Sequence, residues 1–289
     1  MAVDARDLDV EIAGLDALEA ALGNRPSPIR RAWAQLWPKL AALAIALFLW
    51  QCVVWSHHWP EYLLPGPRKV LPVLWDQTGT SRFWSAIGRT LQRGFVGYAV
   101  AVVIGTVVGV AVARIKVLRV AVGSMITGLQ TMPSVAWLPL AIVLFKLGEG
   151  AIMFVVVLGA APSIANGVIS GVDHVPPLLL RSGRMLGAKG LKTYRHVVMP
   201  AALPTFVGGL KQGWAFAWRS LMAGELIAFF PGKFSIGQEM DNAKTVNDMA
   251  LLVAWMIVIL ILGIVIDSLF SKADLSLRKR WGLVDQATV

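Results

Sequence analysis

Long apolar stretches, separated by short polar ones, set the pattern of this chain. Six runs are of a length to cross a bilayer, at about Lys39 to Ser56, Leu91 to Ala113, Ala121 to Leu147, Ala151 to Val172, Ala201 to Ala228 and Met249 to Phe270. A spanning helix needs roughly 20 mostly apolar residues. Before the first run, Leu8, Ile12, Leu15, Leu18 and Leu22 recur at helical spacing among acids, which predicts a short amphipathic helix ended by "NRPSPIRR". The pattern predicts an all-α, polytopic membrane helix bundle of about six transmembrane helices.

The runs differ in their interiors. In the second, Gly97, Ala101, Gly105, Gly109 and Ala113 place a small residue at every fourth position, a stripe that lets another helix approach closely in lipid. The third is broken by "QTMPSVAWLP", where Pro133 and Pro139 remove backbone donors. A broken helix at membrane depth survives where protein or a water-lined cavity satisfies the freed groups. Gln130, Thr131 and Ser134 are therefore candidates for lining a pathway, and Asn166, beside Pro162 and Ser163 in the fourth run, is another. The alternative for the first three is a helix kink with a return to the interface and no substrate contact, and for Asn166 a hydrogen bond to a neighbouring helix.

The fifth run, "KQGWAFAWRSLMAGELIAFF", holds Lys211, Arg219 and Glu225. A charge at mid-bilayer costs roughly 2.5 to 3.5 kcal/mol on the mild insertion scale, so these groups should face protein, a cavity or an interface. Lys211 lies near an end and can snorkel. Arg219 and Glu225 are six residues apart, about 120° around an ideal helix, so they do not pair with each other. Each needs another partner or a substrate; Trp218, Arg219 and Glu225 join the candidate pathway residues.

Composition agrees with the pattern: 56% hydrophobic, 15% charged and a mean hydropathy of +0.65. A soluble domain carries about 25% charged residues. The net charge of +10 would fit nucleic acid, but its distribution argues against that partner. Arg25, Arg30, Arg31 and Lys39 precede the first run, Arg114, Lys116 and Arg119 separate the second from the third, Arg181 to Arg195 carries five, and Lys272, Arg278, Lys279 and Arg280 follow the last. All fall on one side if both termini are cytoplasmic, as the positive-inside rule requires. Arg68, Lys69, Arg82 and Arg89 would then lie outside, where "SRFWSAIGRTLQR" reads as an interfacial amphipathic helix leading into the second run. Acids at Asp4, Asp7, Asp9 and Glu11 stand where a signal peptide has its positive region, so the first run is expected to be a retained anchor.

Chemistry is sparse. There is no G-x-x-x-x-G-K-[ST] to cradle ATP phosphates, no G-x-S-x-G and no H-E-x-x-H. His57, His58, His174 and His196 have no carboxylate at ligand spacing, and Cys52 is alone, so neither a metal nor a cofactor site is expected in this chain. Catalysis by the chain itself is not expected. A stand-alone secondary transporter, the alternative class, would favour inverted repeats with paired interrupted helices, and the first half does not mirror the second.

"RSGRMLGAKGLKTYRHVVMP", Arg181 to Pro200, carries five Lys/Arg and no acid. After "VDHVPP" breaks the chain, Leu178 to Gly187 and Leu191 to Val198 are predicted as short helices around a "GAKG" turn. Leu191, Tyr194 and Val198 would share an apolar face, with Lys192 and Arg195 on another. Gly187, nine residues, then Val197, Val198, Met199 and Pro200 resembles the glycine and terminal "I-x-L-P" of the EAA loop in permease subunits of bacterial ABC importers. "LLPGPRKVL", "PSVAWLPLAIVLFKLGEG", "GVDHVPPLLL" and "AWRSLMAGELI" are similar to the sulfonate, taurine and nitrate branch, over about Trp59 to Phe270.

That resemblance implies a type I, MetI-like permease fold in the inner membrane, with residues 1–37 as a cytoplasmic tail, 38–270 as the permease domain including a coupling loop at 173–200, and 271–289 as a basic cytoplasmic tail. It implies a second copy of the chain, two ATPase subunits that bind ATP and Mg, and an extracytoplasmic binding protein delivering a small anion such as a sulfonate, taurine or nitrate. Arg181, Ser182, Gly183, Gly187, Ala188, Val197, Met199 and Pro200 would form the coupling loop. One departure stands out: Arg181, Ser182 and Gly183 occupy the place of the family's Glu-Ala-Ala, so a basic group replaces the usual acid.

Overall fold

A computed structural model of the protein describes residues 28–227 and 234–280. The amphipathic helix expected over Leu8 to Leu22 and the last nine residues lie outside the described residues. Every regular element described is helical. The chain divides into two units between Pro67 and Arg68, and the long helix α1, Pro28–Trp55, belongs to the first. α1 runs through the boundary expected at 37/38.

The second unit opens with α2, Pro67–Thr78, and α3, Ser81–Arg114. Thr80 caps α3 by accepting from the Phe83 amide at 3.2 Å. At 34 residues and 1.5 Å per residue, α3 is about 51 Å long, well beyond the roughly 30 Å hydrocarbon core. The stretch expected to be an interfacial helix leading into the second run is the first third of this one continuous helix. Its Phe83, Ala86, Ile87, Thr90 and Arg93 are buried, because they extend the same stripe that carries Gly97, Ala101, Gly105 and Gly109.

The expected break in the third run is present. α4, Lys116–Thr131, is followed by a 3₁₀ turn, Ser134–Trp137, and by α5, Leu138–Phe145, with a bend of 104° between the two arms. Pro133 precedes the 3₁₀ turn and Pro139 opens α5, positions where a missing N–H costs nothing.

α6, Glu149–Asp173, is the centre of the unit, with α3 on one side and α9, Met199–Ile227, on the other. A Cβ at Gly105 would lie 2.6 Å from the Ala161 carbonyl oxygen, and one at Gly167 would lie 2.7 Å from Gly209 Cα. Backbones touch at both crossings, and this close approach is what holds apolar helices together where lipid offers no hydrophobic gain. The stripe read in the sequence thus serves packing within the chain. Beside it, Trp214 stacks on Phe95 at 5.0 Å and meets the edge of Tyr98 at 5.2 Å, while the Tyr98 hydroxyl donates to the Leu210 carbonyl at 2.9 Å.

Between α6 and α9 lies a hairpin: α7, Pro177–Met185, a turn, α8, Leu191–Thr193, and a π turn, Tyr194–Val198, that enters α9 without a break. α10, Ile236–Thr245, and α11, Met249–Arg280, complete the unit, α11 passing the boundary expected at 270/271.

Among the described residues four helices are long and apolar enough to cross a membrane, or five if the bent pair counts as one span. The difference from six lies in α9. Its 29 residues suffice in length, but its glycines, prolines, tryptophans and polar side chains, Lys211, Gln212, Arg219 and Glu225 among them, make it less apolar than the other spans.

Candidate functional site

Two regions carry the residues singled out in the sequence. The first is the hairpin. Gly183 is buried, and a Cβ there would lie 2.8 Å from Val197 Cγ2, so the two arms close on each other at this point. Gly187 has φ +83° and Gly190 φ +55°, both in the left-handed region that L side chains disfavour. The turn between them is tied by Ala188 N–H to the Gly183 carbonyl at 2.9 Å and by the Thr193 hydroxyl to the Ala188 carbonyl at 2.9 Å. Arg181 and Ser182 are exposed, and no acidic partner of Arg181 is found among the described residues.

The apolar surface of the hairpin is not the one predicted. Val198 is buried and Tyr194 lies under the Arg114 guanidinium, 4.3 Å from its ring centroid. The reason is the π turn: an extra residue in the turn rotates Leu191 out of register with Val198, so i, i+3, i+7 does not describe one face. The exposed patch is instead Met185 (90% exposed), Leu186 (88%) and Leu191 (74%), grouped around the Gly187 to Gly190 turn. Met199 is exposed, and Val197 and Pro200 are half-buried at the entry to α9.

The second region is polar and lies along the spans. Gln130 donates from Nε2 to Ser163 Oγ at 3.4 Å and accepts at Oε1 from Asn166 Nδ2 at 3.5 Å, which joins α4 to α6. Ser134 approaches Gly159 on α6, opposite Ser220 on α9. Thr131 is exposed and donates back to the Gly128 carbonyl at 2.9 Å. With Ser124, Thr127 and Gly128 it forms an exposed small and polar face of α4. On α9 the exposed positions Thr205, Gln212 and Arg219 are spaced by seven, one polar stripe down the helix. Arg219 donates from Nε to the Ala215 carbonyl at 3.2 Å and lies over the Phe216 ring at 5.0 Å.

Two candidates go elsewhere. Trp218 is buried beside Trp214 in the aromatic core. Glu225 is 2% exposed and its carboxylate is saturated. It accepts from Arg93 Nη1 at 3.1 Å, from Thr90 Oγ1 at 2.9 Å and from the Gly237 amide at 3.2 Å. Arg93 also grips Glu149 with two hydrogen bonds, at 2.9 and 3.1 Å. Neither Arg93 nor Thr90 was singled out from the sequence. Lys211 pairs with Asp267 at 3.4 Å and donates to Ser271 at 2.8 Å rather than snorkelling alone.

The arrangement offers no nucleophile with a base and, among the described residues, no group of ligands for a metal ion. What it offers is polar surface inside an apolar bundle and an apolar patch on a basic hairpin.

Comparison with known proteins gives one family. Residues 101–279, more than half the chain, match the model of the binding-protein-dependent transport system inner membrane component. The taurine transport system permease protein TauC of Escherichia coli is 29% identical over 65% of this chain and 70% of its own length. The bicarbonate transport system permease protein CmpB of Synechococcus elongatus is 29% identical over 85% of this chain and 91% of its own. The riboflavin transport system permease protein RibX of Chloroflexus aurantiacus is 27% identical over 75% and 81%. Among solved structures, an inward-facing form of the MetNI methionine ABC transporter superposes with a TM-score of 0.57 at 21% identity, covering 68% of this chain and 96% of that one. That likeness shows the fold, the MetI-like helix bundle.

Proposed function

The chain belongs to the family of binding-protein-dependent transport system inner membrane components, and from that premise we propose that it translocates a small anionic solute as the permease subunit of an ATP-driven importer. The observation that carries the reading is the exposed stripe Thr205, Gln212 and Arg219 on α9. Polar and charged groups inside a membrane face a bundle interior or a water-filled cavity. Facing a second copy across an aqueous path, the stripe would meet that need and set a cation in the path of an anion. Taurine and bicarbonate, for which two relatives are named, are small and carry anionic oxygens. Gln130, Thr131, Ser134 and Asn166 are read as the neutral lining of the same path.

The hairpin supplies the energy coupling in this reading. ATP and Mg would be bound by two separate ATPase subunits, each receiving Met185, Leu186 and Leu191 in an apolar groove, with Arg181 at the rim in place of the usual acid. Both termini and the hairpin would face the cytoplasm, since the basic clusters mark that side. An extracytoplasmic binding protein would deliver solute to the opposite mouth, and rigid-body rocking of the two copies would alternate access.

The test is reconstitution in liposomes of the full chain with its ATPase and binding-protein partners. Solute uptake that requires internal or external ATP on the ATPase side, and that is absent with the chain alone, supports the proposal. Uptake by the chain alone driven by a proton gradient would overturn it.

A further inference from the structure

A cavity of about 250 Å³ opens at the end of the bundle that carries Arg114, Lys116 and Arg119. Val110 of α3, Val168 of α6, Val198 of the π turn and Phe206 of α9 form its walls, and the lining is almost wholly apolar. Val110 and Met199 in its lining are exposed, so the cavity is open to the surroundings. An apolar hollow of this size stays free of water, which finds too few polar partners there.

It runs along α3, a helix long and apolar enough to cross a membrane. Arg114 ends α3 at the mouth and Thr106 lies at the inner end, eight residues earlier, about 12 Å at 1.5 Å per residue. The Thr106 hydroxyl has no partner among the described residues. A helical threonine can turn to the carbonyl one turn back, so this group asks nothing of an occupant.

The rim is charged. The Arg114 guanidinium lies flat on Tyr194, and no acid among the described residues neutralises it, whereas its neighbour Arg119 is paired with Asp173. A cation at the interfacial level above an apolar slot that descends into the bilayer is complementary to an anionic head on an apolar tail. Basic pockets between membrane helices take anionic lipid headgroups in this way.

We infer that this cavity is a binding site for one anionic phospholipid, its acyl chain along Val110, Val168 and Phe206 and its phosphate on Arg114. One wall is the hairpin itself, through Tyr194 and Val198, so a bound chain braces the π turn against α3 and α6. The site stands whatever solute is carried, and its test needs no transport.

The test is native mass spectrometry of the full chain in detergent, incubated with phosphatidylglycerol or with phosphatidylcholine of the same acyl length. The parent protein should retain one phosphatidylglycerol per chain, with about fivefold preference over phosphatidylcholine, the effect of one basic residue near an anionic headgroup. Arg114→Gln should abolish the preference and keep weak binding of both lipids. Val110→Trp, which fills the slot, should remove both. Equal retention of the two lipids by the parent, or an unchanged preference in Arg114→Gln, would overturn the inference. So would a Val110→Trp protein that keeps its lipid, or one that changes oligomeric state with no change in lipid, since a second copy would then be the occupant. Arg114 is an exposed helix-end residue, so its variant decides the matter even where Val110→Trp does not fold.

Discussion

Arg93 on α3 and Glu225 on α9, 132 residues apart, form an ion pair at 3.1 Å in which the side chains are 4% and 0% exposed. Thr90 and the Gly237 amide complete the carboxylate's shell, and Glu149 shares the guanidinium, so three helices and the start of α10 meet at one charge pair. Breaking a buried pair by removing one partner leaves the other charge uncompensated, which typically costs about 3 to 5 kcal/mol. Glu225→Ala is expected to destabilise the chain by about that amount, read as a lower thermal midpoint in detergent. The double variant Arg93→Met with Glu225→Leu should recover most of the loss, since a well-packed apolar replacement of both partners is often neutral.

The α6 to α9 crossing predicts a contrast between neighbouring glycines. A side chain at Gly209 meets Gly167 backbone at 2.7 Å, whereas a Cβ at Gly208 has nothing within 4 Å. Gly209→Leu should cost about 1 to 3 kcal/mol or more through overpacking and lower the yield of monodisperse protein. Gly208→Leu should leave stability within about 0.5 kcal/mol, as substitutions that meet no packed neighbour do.

At the hairpin, Gly187 has open space around its Cβ position but a φ of +83°. Gly187→Val therefore strains the turn by about 1 to 2 kcal/mol without a clash elsewhere. The expected result is normal membrane insertion and an unchanged thermal midpoint of the bundle, with ATP-driven uptake reduced at least tenfold. Normal uptake by this variant would remove the hairpin from the coupling path.

The exposed patch gives a complementary test. Leu186→Asp places a charge at a position 88% exposed, so the isolated chain should keep its stability. Co-purification with the ATPase subunits should be lost, because an apolar groove rejects an unpaired carboxylate.

Arg219→Ala removes the one charge on the exposed stripe of α9. Uptake of an anionic solute should fall at least tenfold while Arg219→Lys retains part of it. Equal uptake in all three proteins would assign Arg219 to its contacts with Ala215 and Phe216 alone.

Much of the fold is legible in the chain. The break at Pro133 and Pro139, the close-packed stripe from Gly97 to Gly109 and the turn glycines Gly187 and Gly190 each appear where local chemistry demands them. Two features were not legible, each for its own reason: the full length of the α3 stripe and the π turn of the hairpin. Had the stripe of Gly97 and Ala101 been followed back toward the N-terminus, it would have passed through Arg93, Thr90 and Phe83, and a buried arginine would have answered the unpaired Glu225. Assigning "SRFWSAIGRTLQR" to the interface gave that charge to water instead. The face of Leu191, Tyr194 and Val198 failed because a π turn has no signature in side-chain chemistry alone.

The contact of Gly167 with Gly209 also divides α9 into two arms. Helix continuity from Leu191 to Ile227 makes the π turn and α9 one member, and Gly209 is its closest backbone-to-backbone approach to α6. From that point the arm to Leu191 spans 18 residues, about 27 Å, and the arm to Glu225 spans 16, about 24 Å. One arm ends on the exposed hairpin and the other on the buried charge pair with Arg93, so a single continuous helix joins a surface patch to an anchored interior.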